Sequence, residues 1–294
     1  MARVNSAMTR AALAGLLLAL WAPALPAAAD DQGGKAPEIM PPADEFRVCA
    51  DPNNLPFSND KGEGFENKLA ELVAKELGKR VTYVWWAQRR GFVRNTLKAG
   101  RCDVIMGVPA QYELVATTQP YYRSSYVFLS RDDRRLDLAS ISDPRLRDLR
   151  IGVHLLGDDG FNTPPANALG EEGITRNVVG YSIYGDYRTP NPPARLVEAV
   201  ADGEVDVAAV WGPLAGYFAR RSAVPLRVVP ITGTEAFAPL LFQFDIAIGV
   251  RKQDKALKDR LDEILARDAG AIRALLVSYG VPLVTADEGA SVTP

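Results

Sequence analysis

The chain carries little of what catalysis at neutral pH recruits. His154 is its only histidine and follows the apolar run "LRIGV", where a loop lining a cleft would start. It could hydrogen-bond a ligand or sit as a satisfied imidazole. One histidine cannot build a histidine-based metal cluster, the two cysteines lack zinc spacing, and no serine stands in a nucleophile-elbow motif. Acid–base chemistry needs two convergent carboxylates in different environments. The candidates are Asp51 and the adjacent Asp158 and Asp159, and a "DDG" run is an ordinary solvated turn. No glycine-rich phosphate loop or flavin fingerprint occurs. The residues therefore predict a binder with no catalytic residue, no metal and no cofactor.

Binding chemistry is better supplied. Asn53, Asn54 and Phe57 follow the strand-like "FRVCA"; Trp85 and Trp86 end "VTYVWW", with Arg89 just beyond; Tyr121 and Tyr122 follow a third apolar run; Trp211 ends "VDVAAVW" before a Gly-Pro turn. These make an aromatic and polar wall, although core packing competes for several of them. Trp85 and Trp86 are adjacent on a strand, so at most one points inward. Arg89, Arg90 and Arg94 could grip an acidic surface or form a solvated helix face.

The elements that would position these groups alternate. "GFENKLAELVAKELGKR" places Phe65, Leu69, Leu72, Val73 and Leu77 at helical spacing, with Gly78 as stop. A second helix is expected over "RRGFVRNTLKAG". A third strand is expected from Asp103 to Met106, turning at Gly107, and Glu113 is the only charged side chain between Gly107 and Tyr122. The strand–helix alternation resumes after "DLRIGVHLLG", and "DIAIGV" precedes a helix with Leu257, Leu261, Ile264 and Leu265 on one face. This grammar predicts an α/β fold of two parallel-type sheets with flanking helices, joined by strands that cross near Tyr126–Ser130 and Phe242–Val250. The expected division is lobe I over 45–131 plus 238–282, lobe II over 132–237, and a flexible tail over 283–294.

Residues 1–29 read as a secretory signal peptide: Arg3 and Arg10, an apolar run too short to span a bilayer, then small residues near Ala29. A Gly/Pro-rich linker is expected over 30–44. No later stretch is long and apolar enough to span a membrane. The net charge is −2, and losing Arg3 and Arg10 makes it more acidic, which gives no reason to expect nucleic acid as partner. A monomer is expected. In an exported chain Cys49 and Cys102 suggest a disulfide between neighbouring strands, with two buried thiols as the alternative.

The blocks "GFENKLAELVAKELGKRV", "AGRCDVIMG" with "PYY", "LVEAVADGEVDVAAVWGP" and "AIGVRKQDKALKDRLDEIL" resemble the bilobal type II periplasmic solute-binding proteins over nearly the whole mature chain. The resemblance implies a ligand enclosed between the lobes and delivery to a membrane transporter or receptor. In members that bind amino acids, an arginine grips the ligand carboxylate where Gln111 stands here, and an aspartate holds the ammonium where Trp211 stands. Both ends of that clamp are missing, and an unpartnered buried carboxylate costs several kcal/mol, so an α-amino acid does not suit this cleft. "PYYRSSYVFLSR" followed by "SDPRL" resembles, more narrowly, the MoxJ/XoxJ-like group associated with quinoprotein dehydrogenases. That likeness implies a periplasmic accessory role beside a PQQ-dependent alcohol dehydrogenase and its c-type cytochrome, with the cleft taking a protein segment or a neutral ligand. The alternatives are a transporter receptor for a small non-amino-acid solute and a dehydratase-type enzyme on the same fold.

Overall fold

The computed structural model describes residues 44–155, 162–182 and 188–284. The expected leader, the acidic pair Asp158 and Asp159, nearly all of the expected linker and residues 285–294 of the expected tail lie outside the described residues.

Strand β1 (Glu45–Ala50) leads through two short strands, β2 (Asn53–Asn54) and β3 (Ser58–Asn59), into helix α1 (Phe65–Glu76). The helix phase follows from its apolar stripe: Phe65, Leu69, Ala70 and Val73 are all fully buried. Its start is fixed by the preceding loop, because Pro56 and Phe57 carbonyls accept from the amides of Phe65 and Glu66 at 2.8 and 2.9 Å. Gly64 makes this approach possible, since a Cβ there would lie 2.0 Å from the Phe57 oxygen. Gly78, at φ +66°, ends the helix as its position suggests.

The chain continues through β4 (Arg80–Trp85), α2 (Phe92–Asn95), β5 (Val104–Pro109), β6 (Ala116–Thr117) and the ten-residue β7 (Tyr122–Arg131). The expected second helix shrinks to four residues, entered through Gly91 at φ +84°, so Arg89 and Arg90 precede it in a turn. The third strand runs past Gly107 to Pro109 instead of turning there. The second half holds β8 (Ile151–Leu155), α3 (Pro164–Glu171), β9 (Val178–Ser182), α4 (Arg195–Ala201), β10 (Val207–Trp211), α5 (Gly212–Ala219) and β11 (Leu226–Pro230). It is followed by β12 (Gln243–Val250), α6 (Lys255–Arg267) and α7 (Ala269–Ser278).

The strands pair in the order β4-β1-β5-β12-β7-β10-β8-β9, with β11 on β7 and β6 on β12. Two parallel groups, β4-β1-β5 and β10-β8-β9, are joined by antiparallel strands, so each sheet is mixed rather than wholly parallel. Strand β7 serves both: residues 122–125 pair with β12, and 126–131 pair with β10 and β11. At the first junction Arg123 and Asp245, directly opposite in register, form a two-pronged ion pair at 2.8 and 2.6 Å.

One core packs Phe46, Phe65, Leu69, Met106, Ile248 and Ile264 between the first sheet and α1, α6 and α7. The two faces of the second sheet carry cores around Phe128, Ile141 and Ile151, and around Leu129, Leu196 and Leu214. A fourth, on the other face of the first sheet, surrounds a disulfide between Cys49 and Cys102. This bridge links β1 to Cys102, two residues before the start of the adjacent β5, across 53 positions of sequence. A Cys49→Ala, Cys102→Ala double variant is expected to lose about 2–4 kcal/mol in urea unfolding, whereas an unchanged midpoint would leave the bridge without a stabilising role.

Candidate functional site

Where β7 passes from one sheet to the other, a cavity of about 270 Å³ opens, just below the span of about 300–1,000 Å³ usual for small-ligand sites. Its wall is built by strand register. Tyr122 and Tyr126 lie on one face of β7; Ile246 pairs with Tyr122, and Trp211 at the end of β10 pairs with Tyr126. Phe244 completes the corner, its ring 5.7 Å from Trp211, which is 5.3 Å from Tyr126. Phe57, from the loop that caps α1, also lines the cavity.

Set into this apolar wall is a carboxyl group. Glu66 is the second residue of α1, and positions 66, 69, 70 and 73 share one stripe, so the helix turns Glu66 inward with Leu69, Ala70 and Val73. Its side chain reaches β5 at Gly107, where a Cβ would lie 2.1 Å from Glu66 Oε1. Gly107 is thus a point of close approach inside a strand, not a turn glycine. Desolvation raises the Glu66 pKa to about 8, so the carboxyl is mostly protonated at neutral pH. Glu66 is half-buried, and keeping the proton spares the fold a poorly solvated charge, an advantage that declines as pH rises from the ordinary carboxylate range towards 8.

His154, at 2% exposure, also lines the cavity, and burial lowers its pKa to about 4 against the opposing pull of the Pro193 carbonyl. The imidazole is neutral at pH 7; the stability tied to that neutrality is present above about 6.5 and lost as pH falls through about 4. Its Nε2 and the Oδ1 of Asn54, a residue only 3% exposed, are buried without a hydrogen-bond partner. Asn54 Nδ2 donates to Gln88 Oε1 at 3.2 Å. Unpaired buried polar atoms are costly, so two on one cavity point to a ligand that supplies partners.

Of the residues expected at the cleft, Asn54, Phe57, Tyr122, His154 and Trp211 come together around the cavity. The others lie elsewhere. Trp85 stacks on Tyr83 at 4.5 Å, and Trp86 lies under the Arg101 guanidinium on the other face. Tyr121 turns away and donates to the Met106 carbonyl at 2.9 Å. Gln111 and Arg89 are exposed in turns. Asp51 accepts from the amides of Asn53 and Gln88, a role in shaping the loop.

Glu66, Gln88, Tyr126 and Phe244 were not expected from the sequence. Two signals point to three of them: Glu66 falls on the apolar stripe of its helix, and Tyr126 and Phe244 share strand faces with Tyr122 and Ile246, whereas nothing in the sequence marks Gln88. Among the described residues, no cluster of three His, Cys, Asp or Glu could hold a metal.

Asn53 has a further role. Its Nδ2 donates to the Thr189 carbonyl and its Oδ1 accepts from the Asn191 amide, both at 2.9 Å, tying the loop after β1 to the segment before α4. Each such bond contributes about 1 kcal/mol. Asn53→Ala should therefore shift the chain towards an opened cleft, read as a larger radius of gyration in small-angle X-ray scattering. An unchanged scattering curve would show that the tie does not hold the cleft.

Comparison with known proteins places these features in a family. The chain is 36% identical over 297 residues to Protein MoxJ of Methylorubrum extorquens, covering 96% of this chain and 97% of that one. It superposes on the periplasmic binding protein XoxJ from Methylobacterium extorquens AM1 with a TM-score of 0.67 at 37% identity, over 82% of this chain and 99% of that one. On MxaJ from Methlophaga aminisulfidivorans MPT the TM-score is 0.72 at 29% identity, over 81% and 100%. With residues 46–275 matching the family model and its fold superposing on both of these structures, the chain belongs to the bacterial extracellular solute-binding proteins, family 3, with the bilobal type II binding-protein fold.

Proposed function

We propose that this chain is a non-enzymatic periplasmic binding protein that serves a PQQ-dependent methanol dehydrogenase. The observation that carries the reading is similarity to MoxJ over nearly the full length of both chains, on a fold whose amino-acid clamp is replaced. Gln111, at the arginine's place, is exposed, and Trp211, at the aspartate's, is part of an aromatic corner. A dehydratase-type activity draws no support from Asp51, the carboxylate the sequence offers after the first strand, because it is engaged with the loop amides of Asn53 and Gln88.

Asn54, Phe57, Tyr122, His154 and Trp211 are proposed as ligand contacts within that role. A cavity of this size suits a small molecule better than a protein segment, so the dehydrogenase would dock on the outer surface. The same cavity favours one second reading, a receptor handing a small solute to a transporter.

Titration calorimetry of the mature protein against the methanol dehydrogenase of the same organism, with and without its quinone, at two salt concentrations, tests the proposal. Saturable binding to at least one form is expected. Heats that match dilution for both forms would overturn it and leave the transporter reading.

A further inference from the structure

The cavity reads as a site for a donor, not for an acceptor. Its described lining contains no lysine or arginine, and the undescribed stretches 156–161 and 183–187 contain none in sequence. What it holds instead is a carboxyl group on Glu66, an unpartnered carbonyl oxygen on Asn54 and an unpartnered imidazole nitrogen on His154. The rest of the wall is the Tyr126–Trp211–Phe244 corner with Phe57 and Tyr122. Aromatic faces carry partial negative charge and attract cations, most strongly where water is excluded. A ligand carboxylate would find no counter-charge here and would lie near Glu66.

We infer that the cavity binds a small primary alkylammonium ion, with its charge on Glu66, its N–H groups available to Asn54 Oδ1 and His154 Nε2, and its apolar chain against the aromatic corner. A primary ammonium offers three donors and no acceptor, the complement of what the wall leaves unpaired. The inference deepens the proposed function by naming the ligand class of the same cavity, and depends on that reading only in taking the cavity as the binding site.

Binding should be linked to protons. Glu66 must give up its proton to pair with the cation, and desolvation alone holds that proton on up to about pH 8. The other titratable groups around it do not ionise in this window. Tyr121 and Tyr122 stand well above 10 and Tyr83 is raised above its ordinary value, all three influenced by the Glu66 charge; His154 is already neutral.

The test is titration calorimetry of the isolated mature protein, without dehydrogenase, using propylammonium chloride, 1-propanol, tetramethylammonium chloride and alanine as probes. Propylammonium should bind best. Its affinity should rise about tenfold per pH unit from 6 towards 8 and level off above, because one proton is released per cation bound. Glu66→Gln, with folding checked by thermal unfolding, should lose both the affinity and the pH slope. Propanol binding as tightly as propylammonium at pH 8 would overturn the inference. So would tighter binding of tetramethylammonium, which has no N–H, tighter binding of alanine, a propylammonium affinity flat in pH and retained in Glu66→Gln, or no binding of any probe. None of these outcomes bears on dehydrogenase docking, which is measured separately.

Discussion

The backbone ladder of β7 is the constraint on which the rest of the site depends. Ten consecutive residues must pair with β12 at one end and with β10 and β11 at the other, and the partners change between Ser125 and Tyr126. Both of those pairings fix side-chain register, since a slip of one residue would turn every side chain to the opposite face. Tyr122 opposite Ile246 and Tyr126 opposite Trp211 follow from this ladder, and so does the aromatic corner. The ion pair of Arg123 with Asp245 reinforces the junction from its partly exposed side. Close packing nearby admits little variation: a Cβ on Gly212, just after Trp211, would lie 2.6 Å from the Ser125 carbonyl.

Against this scaffold α1 delivers one group that hydrophobic packing alone would not choose. Glu66 occupies a position on the buried stripe, accepts desolvation and responds by keeping its proton. The helix N-terminus favours a negative charge in its first turn, which lowers the cost of ionising Glu66 when a cation arrives. Asn54 and His154 carry a related cost, each holding a buried polar atom without a partner. Three separate expenses on one cavity are what a binding site requires and what a packed core avoids. Stability given up at Glu66, Asn54 and His154 is recoverable on binding.

Much of the fold was legible in the chain because it rests on local periodicity. The stripe of α1, its stop at Gly78, the strand–helix alternation and the crossing strand near Tyr126 can all be read from spacing. The strand-like runs around Cys49 and Cys102 suggest a bridge but leave two buried thiols open, and the structure has the bridge. The site was only half legible. Residues at strand ends, such as Trp211 and His154, lie where cleft loops begin and could be named. Glu66 is hard to read from sequence because a glutamate in a first helical turn is ordinarily solvated, and only its phase against Leu69 and Val73 marks it as inward. Gly107 reads as a turn in sequence because a strand glycine and a turn glycine look alike until the opposing side chain is known. Trp85 shows the converse, an aromatic residue near a cleft whose ring is taken up by a strand neighbour, Tyr83.

The central claim is that the cavity is organised around a carboxyl group held neutral by desolvation. A ¹³C NMR titration of the glutamate carboxyl signals in the ligand-free mature protein, with Glu66 assigned by its loss in Glu66→Gln, measures this directly. A single glutamate carbon is expected to titrate near pH 8. A Glu66 signal titrating in the ordinary carboxylate range, near 4.3, would mean that the group is solvated or already paired, and would contradict it.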